Sequence, residues 1–469
     1  MWQIVKNEWY YLIRSRALLA VSLGFVTVLL LAVFMGHLQT QKQADFYQNA
    51  KAHLRTQWEQ LDGVNPHSAA HYGTYVFKPV NILGNLDEGV NAVTGNVIQV
   101  EGHVQNEMAY SEASQMQAIS RFGKLKSALL LQYILPLLLV FLAFHTIHSE
   151  QESGRLKLLL LQGQHPWRLL WAKTLSVWCF GVLLLMITIG VYLGLYSFQI
   201  EGDVLLRVLL FFLSYSLYYF VLCGLTVYFT VRWKTSALAL TTMIGLWMVW
   251  TIFSPHMLLS AVEQENPLPT RAAFQAAMKT DRAEGLDGHN PSDQRRKALE
   301  EKLLKDYQVD SLSQLPINFS GVLMQEDERY GNKVWDKHFG QLRQVMAQQK
   351  QHYQWGGVLN PFIALQNLSR GLAGTDNLHH QDFLLQVEAY RRVFIKALND
   401  KLAFGGSKTG EWNWTADNAF FKSVADFNYK FSPLKTMYTS YVFDVITLLS
   451  WTLLIGLLLM KASKKIMEL

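Results

Sequence analysis

The sequence contains little cysteine and little charge for its length. Two of its 469 residues are cysteines, Cys179 and Cys223, and both lie in long apolar runs. A disulfide framework and a cysteine-based zinc site are therefore excluded. Charged residues make up 17% of the chain and hydrophobic residues 50%, whereas a soluble domain carries about 25% charged residues. This composition excludes a purely soluble enzyme and a disordered protein.

Motifs for catalysis and nucleotide binding are absent as well. The string closest to a Walker A loop, Gly405-Gly-Ser-Lys-Thr409, lacks the spacing that cradles phosphate. The sequence has no HExxH metalloprotease motif and no GxSxG hydrolase motif. We therefore expect a chain that is not an enzyme and holds no metal or cofactor of its own. The net charge of +6 is modest and the basic residues lie beside the apolar runs, so nucleic acid is not an expected partner.

What the sequence does contain is a set of long apolar runs separated by polar stretches. Six of them are long enough to cross about 30 Å of hydrocarbon as helices. A helix is required because lipid offers backbone groups no other hydrogen-bond partner. We name these predicted spans TM1 to TM6, at residues 17–36, 127–147, 169–196, 208–231, 237–253 and 438–460.

Basic residues cluster on one side of the predicted spans. They are Lys6, Arg14, Arg16, Arg155, Lys157, Arg168, Lys173, Arg232, Lys234, Lys461, Lys464 and Lys465. Because basic residues favour the cytoplasmic side, both termini, including the tail 461–469, are predicted to be cytoplasmic. The polar stretches 37–126 and 254–437, here called insertion 1 and insertion 2, are then extracytoplasmic.

Residues 1–16 have the pattern of an amphipathic helix. Trp2 and Trp9 fall on one face, and Lys6, Asn7 and Arg14 lie off that face. We interpret this stretch as a helix lying in the cytoplasmic interface with two tryptophan anchors. A frayed start of TM1 is the alternative.

The two insertions have the patterns of folded domains. In insertion 1, the string from Gly95 to Gly102 predicts a short strand and hence a small mixed α/β fold. In insertion 2, Asn360 and Asp376 each precede a helix with apolar residues on one side, which predicts a larger, mainly helical fold. The expected fold class is an all-α polytopic membrane protein with six transmembrane helices and these two insertions.

The chain at 148–168, here called the TM2–TM3 segment, predicts a short cytoplasmic helix–turn–helix. Negative charge is favourable where a helix starts, and proline is favourable at the first helical position. Glu150 and Glu152 lie where the first helix starts, Gln162 and Gly163 lie where it ends, and Pro166 lies where the next helix starts. Leu156, Leu159 and Leu160 give the helix an apolar face. This face suits a partner's groove; packing on the chain's own spans is the alternative.

This segment resembles the coupling segment of ABC-2-type transporter permeases, which is roughly E-x-E-x-G-T, a leucine-rich helix, a small turn, a basic residue and a G/A-K pair. The positions that match in order are Glu150, Glu152, Gly154, Leu158–Leu161, Gln162, Gly163, Arg168, Ala172 and Lys173. Arg155 stands where the family usually has threonine. The resemblance implies that the residues coupling the chain to an ATPase are Glu150, Glu152, Gly154, Arg155, Leu159, Gln162, Gly163, Pro166 and Arg168.

Further strings look like signatures of a bacterial subgroup of these permeases with large insertions after TM1 and TM5. They are Asn65–Pro79 and Asn360–Asp376, the latter continued by His379-His380 and Glu388–Arg392. With them the resemblance covers essentially the whole chain. It implies a multi-pass protein of the bacterial cytoplasmic (inner) membrane.

The resemblance implies the permease subunit of an ABC transporter, with export favoured over import. Its implied partners are a second permease copy or paralogue, the lipid bilayer and a separate ATPase subunit that binds ATP and Mg²⁺. The alternative is a mechanotransmission subunit that drives the external domains or a periplasmic partner without moving cargo through the membrane. A third interpretation is a membrane-anchored periplasmic enzyme, which the missing motifs disfavour.

Three polar residues allow both a functional and a structural interpretation. Asp444 is the clearest acid inside a span, and such residues are functional candidates. A solvated residue near the outer interface is the alternative. The adjacent His379 and His380 point about 100° apart on a helix, which disfavours a shared metal ion and favours polar contacts at the helix start.

The charge bias predicts which loops an impermeant thiol reagent can reach. In a variant without the two native cysteines, single cysteines at Gly63, Gly285 and Gly405 should be labelled in intact cells, because both insertions face outwards. Gly163→Cys should be labelled only after the cells are opened. Labelling of Gly163→Cys in intact cells, or none at Gly285→Cys, would contradict the six-span topology.

Overall fold

The structure is a computed structural model that describes residues 1–109, 126–196 and 201–466. In this part of the chain, six helices are long and apolar enough to cross a membrane. They correspond to TM1 to TM6 and run over Leu18–Glu59, Ser127–Glu152, Pro166–Leu195, Gly202–Arg232, Ser236–Glu265 and Val442–Ile466. The predicted class of a mainly helical, polytopic protein is therefore confirmed.

The helices of several spans continue beyond the apolar runs that predict them. The helix of TM1 covers Arg16–Glu59 and passes its predicted end at Gly36. TM4 begins at Gly202 instead of residue 208. TM6 begins at Val442, not at 438, after a separate short helix. Hydropathy marks the apolar part of a helix, whereas its hydrogen-bond ladder extends into polar sequence.

The N-terminal residues form an element of their own. A helix covers Trp2–Arg14, and Ser15 then caps the helix of TM1 by accepting a hydrogen bond from the Leu18 amide at 3.4 Å. Because Ser15 separates the two helices, the first helix is not a frayed start of TM1. Its place in the membrane interface stays a prediction.

A π-helical segment in TM2 frees one carbonyl for a side chain. The segment is Leu130–Ile134, between Ser127–Leu129 and Leu135–Ala143. In a π-helix each carbonyl accepts from the amide five residues later. Pro136 has no amide hydrogen to give to Leu131. The hydroxyl of Tyr219 in TM4 donates to that carbonyl instead, at 2.9 Å.

TM5 repeats this arrangement. Its π-helical segment, Val249–Phe253, lies between Ser236–Met248 and Ser254–Glu265. Pro255 cannot donate to the carbonyl of Trp250. The side-chain amide of Asn360 donates to it at 2.7 Å. Each π segment therefore binds its span to another element of the protein.

Insertion 1 contains the only sheet in the described part of the chain. Strand β1, Thr74–Phe77, pairs antiparallel with β2, Val97–Val100. β2 lies within the strand predicted between Gly95 and Gly102. The helix Pro66–Tyr72 precedes the sheet, and short 3₁₀ turns cover Ile82–Asn85 and Gly89–Ala92.

Insertion 2 is helical, and both predicted helix starts are present. The side chains of Asn360 and Asp376 accept hydrogen bonds from the amides of Phe362 and His379 at 3.0 and 3.1 Å. After the end of TM5, its α-helices are Arg271–Glu284, Ser292–Tyr307, Phe319–Trp355, Pro361–Ala373, Asn377–Phe404, Asn418–Ser423 and Leu434–Met437.

The two insertions share one hydrophobic core. Trp58, at the far end of the TM1 helix, packs against Phe394 and Phe421 with ring centroids 5.0 and 5.7 Å away. Its indole N–H donates to the Phe421 carbonyl at 2.9 Å. Val76 of β1 and Val100 of β2 belong to the same core. The insertions therefore lie together at one end of the helix bundle.

One helix of insertion 2 packs among the spans themselves. The helix Pro361–Ala373, here called the inserted helix, contacts TM4 and TM6 and is buried along most of its length. Phe362, Leu365 and Leu368 belong to the same hydrophobic core as the transmembrane helices. The inserted helix therefore brings polar residues of insertion 2 to the end of the membrane bundle.

The Tyr219 hydrogen bond gives a stability prediction. Tyr219→Phe leaves the Leu131 carbonyl without its partner in a buried setting, which should cost about 1–3 kcal/mol. Tyr218→Phe is the matched control, because Tyr218 is equally buried and its hydroxyl has no partner among the described residues. Thermal unfolding in detergent measures both variants. Equal unfolding temperatures for the two variants would contradict this role of Tyr219.

Candidate functional site

The TM2–TM3 segment has the helix–turn–helix form that its sequence predicts. A short helix, His148–Glu152, is followed by Gly154 in the left-handed region with φ of 71°. A second helix then runs over Arg155–Leu161. TM3 begins at Pro166, its first helical residue. The segment therefore consists of two short helices, and the second one, of about two turns, leads into TM3.

Gly163 ends the second helix in a Schellman motif. Its φ is 79°, its amide donates to the Leu160 carbonyl at 3.0 Å, and the Gln164 amide donates to Leu159 at 3.1 Å. Nothing lies within 4 Å of a Cβ added at Gly154 or at Gly163. The backbone angle, and not crowding, therefore requires glycine at both ends of this helix.

A buried ion-pair network fastens the segment to TM3 and to the N-terminal helix. The Nζ of Lys173 lies 2.6 Å from Oε1 of Glu150 and 2.5 Å from Oε1 of Glu8. Lys173 is 1% exposed. The exposed guanidinium of Arg155 also pairs with Glu150, at 3.0 Å. Sequence reasoning did not find Glu8, because its partner lies 165 residues away.

Some leucines of the segment pack on the core of the spans, and others are exposed. Leu156 is buried, and Leu159 and Leu160 pack against the core of the spans. The predicted apolar face therefore packs on the chain's own helices, which was the alternative to a partner's groove. Leu158 and Leu161 remain 59% and 84% exposed. These two side chains form the apolar surface that a partner can contact.

Three further predicted coupling residues, Glu152, Gln162 and Arg168, are exposed as well. Glu152 is 69% exposed and lies 3.8 Å from His145. Gln162 is the C-terminal cap of the second helix. The guanidinium of Arg168 lies over the ring of Trp167, 5.5 Å from its centroid. The segment thus combines an acidic residue, a basic residue and two leucines at one end of the bundle.

Asp444 lies in the first turn of TM6 and is fully buried. Its carboxylate accepts hydrogen bonds from Gln354 at 2.7 Å and from Asn367 of the inserted helix at 3.1 Å. The alternative given by the sequence was a solvated residue near the outer interface. Asp444 is instead buried, and its contacts are two amide donors of insertion 2. Its role in cargo movement stays a prediction.

A second buried polar group was missed by the sequence analysis. The side-chain nitrogen of Gln132 in TM2 lies 2.8 Å from a carboxylate oxygen of Asp87, 2.9 Å from the hydroxyl of Tyr215 in TM4 and 3.1 Å from the hydroxyl of Ser369 in the inserted helix. Its two hydrogens can serve two of these three oxygens at a time. The Ser369 hydroxyl donates to Asp87 at 2.5 Å. This polar cluster joins insertion 1, two spans and the inserted helix. Gln132 within an otherwise apolar run was its one sequence signal.

Arg207 closes the C-terminal end of the inserted helix. It is 0% exposed and pairs with Asp203 at 2.6 Å. Its guanidinium donates to the carbonyls of Gly371 and Leu372 at 3.2 and 3.4 Å, and to that of Ser432 at 2.9 Å. A helix leaves its last carbonyls unpaired and carries partial negative charge at that end. Arg207 therefore supplies hydrogen-bond donors to carbonyls at this buried helix end.

The adjacent histidines have separate partners. His379 Nδ1 lies 2.7 Å from the carboxylate of Asp376, and His380 lies 3.4 Å from the ammonium of Lys78. These are the polar contacts predicted for the helix start. Burial alone would raise the pKa of Asp376, but the hydrogen bond and charge of His379 and the charge of Lys350 outweigh it and lower the pKa to about 2. Burial and the charge of Lys78 lower the pKa of His380 to about 4.

Comparison with known proteins gives two partial matches. Residues 94–275 are similar to a family described as protein of unknown function (DUF2705). Residues 271–430 are similar to a domain of unknown function (DUF3526), which covers most of insertion 2. Neither description names an activity. No curated protein and no solved structure matches the chain.

The Lys173 network predicts unequal effects of two neutral substitutions. Lys173→Met leaves two carboxylates without their buried cation and should cost about 3–5 kcal/mol. Arg155→Met is the control, because this partner of Glu150 is exposed and should contribute at most about 1 kcal/mol. Thermal unfolding in detergent tests both. If Lys173→Met is no less stable than Arg155→Met, the network does not hold the segment.

Proposed function

We propose that the chain is the permease subunit of an ABC transporter in the bacterial cytoplasmic membrane, with export as the favoured direction. The observation that carries this proposal is the TM2–TM3 segment. Its second helix, Arg155–Leu161, is bounded by two left-handed glycines and turns two leucines outward. A helix of this kind fits a cleft on a separate ATPase subunit.

The ion-pair network supplies a route for force. A push on the helix Arg155–Leu161 reaches Glu150 and, through it, Lys173 in TM3. Lys173 also holds Glu8, so the Trp2–Arg14 helix moves with the segment. Buried ion pairs resist separation because each charge left alone is poorly solvated. The segment, the N-terminal helix and TM3 would therefore shift as one unit when the ATPase closes.

The exposed surfaces of the spans support assembly with a second copy or a paralogue. TM4 is largely buried within the chain, whereas TM1, TM5 and TM6 turn most of their surface outwards. Lipid and a second permease subunit would cover these surfaces. Two subunits together would supply twelve spans and two ATPase-binding segments.

The second candidate function is mechanotransmission to the external domain. The helix of TM1 runs without a break from Arg16 to Glu59 and ends in the shared core of the insertions. A movement of TM1 in the membrane would therefore reach the insertions directly. In this case ATP hydrolysis would act on a periplasmic partner, and no cargo would pass between the spans.

Substitutions in the TM2–TM3 segment test the proposal. Gly163→Val forces a β-branched residue into the left-handed region, at a cost of about 1–2 kcal/mol. Glu152→Lys reverses an exposed charge, and Leu161→Asp places a charge on the exposed leucine. All three should insert and dimerise normally. They should lose co-purification with the proposed ATPase subunit, or uncouple its activity in nanodiscs.

Gly63→Val is the matched control for backbone strain. Gly63 has a φ of 62° and nothing within 4 Å of an added Cβ, but it lies in insertion 1. This control should suffer the same strain and still bind and couple the ATPase. If Gly163→Val and Glu152→Lys also bind and couple it normally, the segment does not transmit force and the proposal loses its main support.

A further inference from the structure

Three histidines of insertion 1 meet at the boundary with insertion 2. His67 and His71 lie one turn apart on the helix Pro66–Tyr72, and His103 follows strand β2. Their ring centroids are 4.5 to 5.5 Å apart. One nitrogen from each ring lies within 4.8 Å of the other two. No other group of three or more possible metal ligands lies this close in the described part of the chain.

The distances suit one shared metal ion. Two nitrogens that are each 2.0–2.1 Å from a tetrahedral ion lie about 3.4 Å apart. The Nε2 atoms of His67 and His71 are already 3.1 Å apart. His71 is exposed, so its ring can adjust without disturbing a packed core. The Nδ1 of His67 is buried and has no hydrogen-bond partner among the described residues.

A carboxylate orients the third histidine. His103 Nδ1 lies 3.2 Å from Oε1 of Glu328, which leaves Nε2 as the nitrogen available to a metal ion. Metal-binding histidines commonly give their second nitrogen to a carboxylate in this way. The other carboxylate oxygen of Glu328, Oε2, accepts a hydrogen bond from Arg391 at 2.8 Å. The carboxylate is therefore held in place behind the ring of His103 by a second residue of insertion 2.

The backbone of His103 is held in an unusual conformation. Its φ is 66°, one of two positive values among non-glycine residues in the described chain. Its amide donates to Glu328 at 2.5 Å, and its carbonyl accepts from Arg282 at 3.0 Å. Both partners belong to insertion 2. Strain of this kind persists where the surroundings fix a side chain for a function.

We propose that His67, His71 and His103 bind one divalent transition-metal ion, with Glu328 orienting His103. Three imidazoles favour zinc and similar ions over Mg²⁺ and Ca²⁺, which prefer oxygen ligands. A tetrahedral ion held by these three rings would take its fourth ligand from water or a small molecule, because the site is exposed at His71. The site joins the two insertions, since its ligands come from one and its orienting carboxylate from the other.

Zinc titration of the full-length protein in detergent tests this site. The protein is purified through a histidine-free affinity tag and stripped of metal, and Zn²⁺ binding is measured by calorimetry. Wild type should bind one Zn²⁺ per chain. His71→Ala removes an exposed ligand without a folding cost and should weaken binding at least tenfold. Glu328→Gln should weaken it about 10–100-fold.

His289→Ala is the matched control, because His289 is an exposed histidine of insertion 2 outside the cluster. It should bind Zn²⁺ as wild type does, and thermal unfolding should show that His71→Ala is folded. Absence of stoichiometric Zn²⁺ binding by wild type would overturn the proposal. So would binding by His71→Ala that equals binding by the control. Neither result depends on the ATPase.

Discussion

Desolvation of polar groups at one end of the helix bundle is the constraint on which the rest of the structure depends. The inserted helix brings its termini and Ser369 into surroundings where an unpaired polar group costs several kilocalories per mole. Each is paired: Asn360 caps the start, Arg207 takes the last carbonyls, and Ser369 bonds to Asp87 and Gln132. The partners come from both insertions and from TM2 and TM4. The spans and the two insertions therefore cannot separate without exposing buried polar groups to an apolar environment.

A buried cation lies at each end of the bundle, Arg207 at one and Lys173 at the other, and the two make different kinds of contact. Arg207 is planar and serves several acceptors at once, which suits the carbonyls at a helix end. Lys173 is a compact charge between two carboxylates on separate elements. The guanidinium therefore completes a fixed structure, whereas the ammonium joins helices that approach from different directions.

Local signals in the sequence predicted part of this structure. The six spans, the helix starts at Asn360 and Asp376 and the turn at Gly163 follow from hydropathy, capping and glycine, which act within a few residues. The buried contacts did not follow. Ser369 and Asp87 are 282 residues apart, and His103 and Glu328 are 225 apart. Nothing in either neighbourhood identifies the other partner. The π segments in TM2 and TM5 were also missed, because each depends on a proline and a distant donor together.

The unbroken helix of TM1 connects the membrane bundle to the shared core of the insertions as one rigid rod. Its 44 residues span about 66 Å, so a tilt of about 10° about one end carries the other end through about 11 Å. Small rotations within the bilayer are therefore amplified before they reach Trp58 and the core of the insertions. Insertion 1 contacts this helix at more than one level: the Asn85 side chain donates to the Val33 carbonyl at 3.0 Å, and Phe77 of β1 packs against Tyr47 with ring centroids 5.3 Å apart. If TM1 tilts, the rigidity of this single helix sets how far the shared core of the insertions travels.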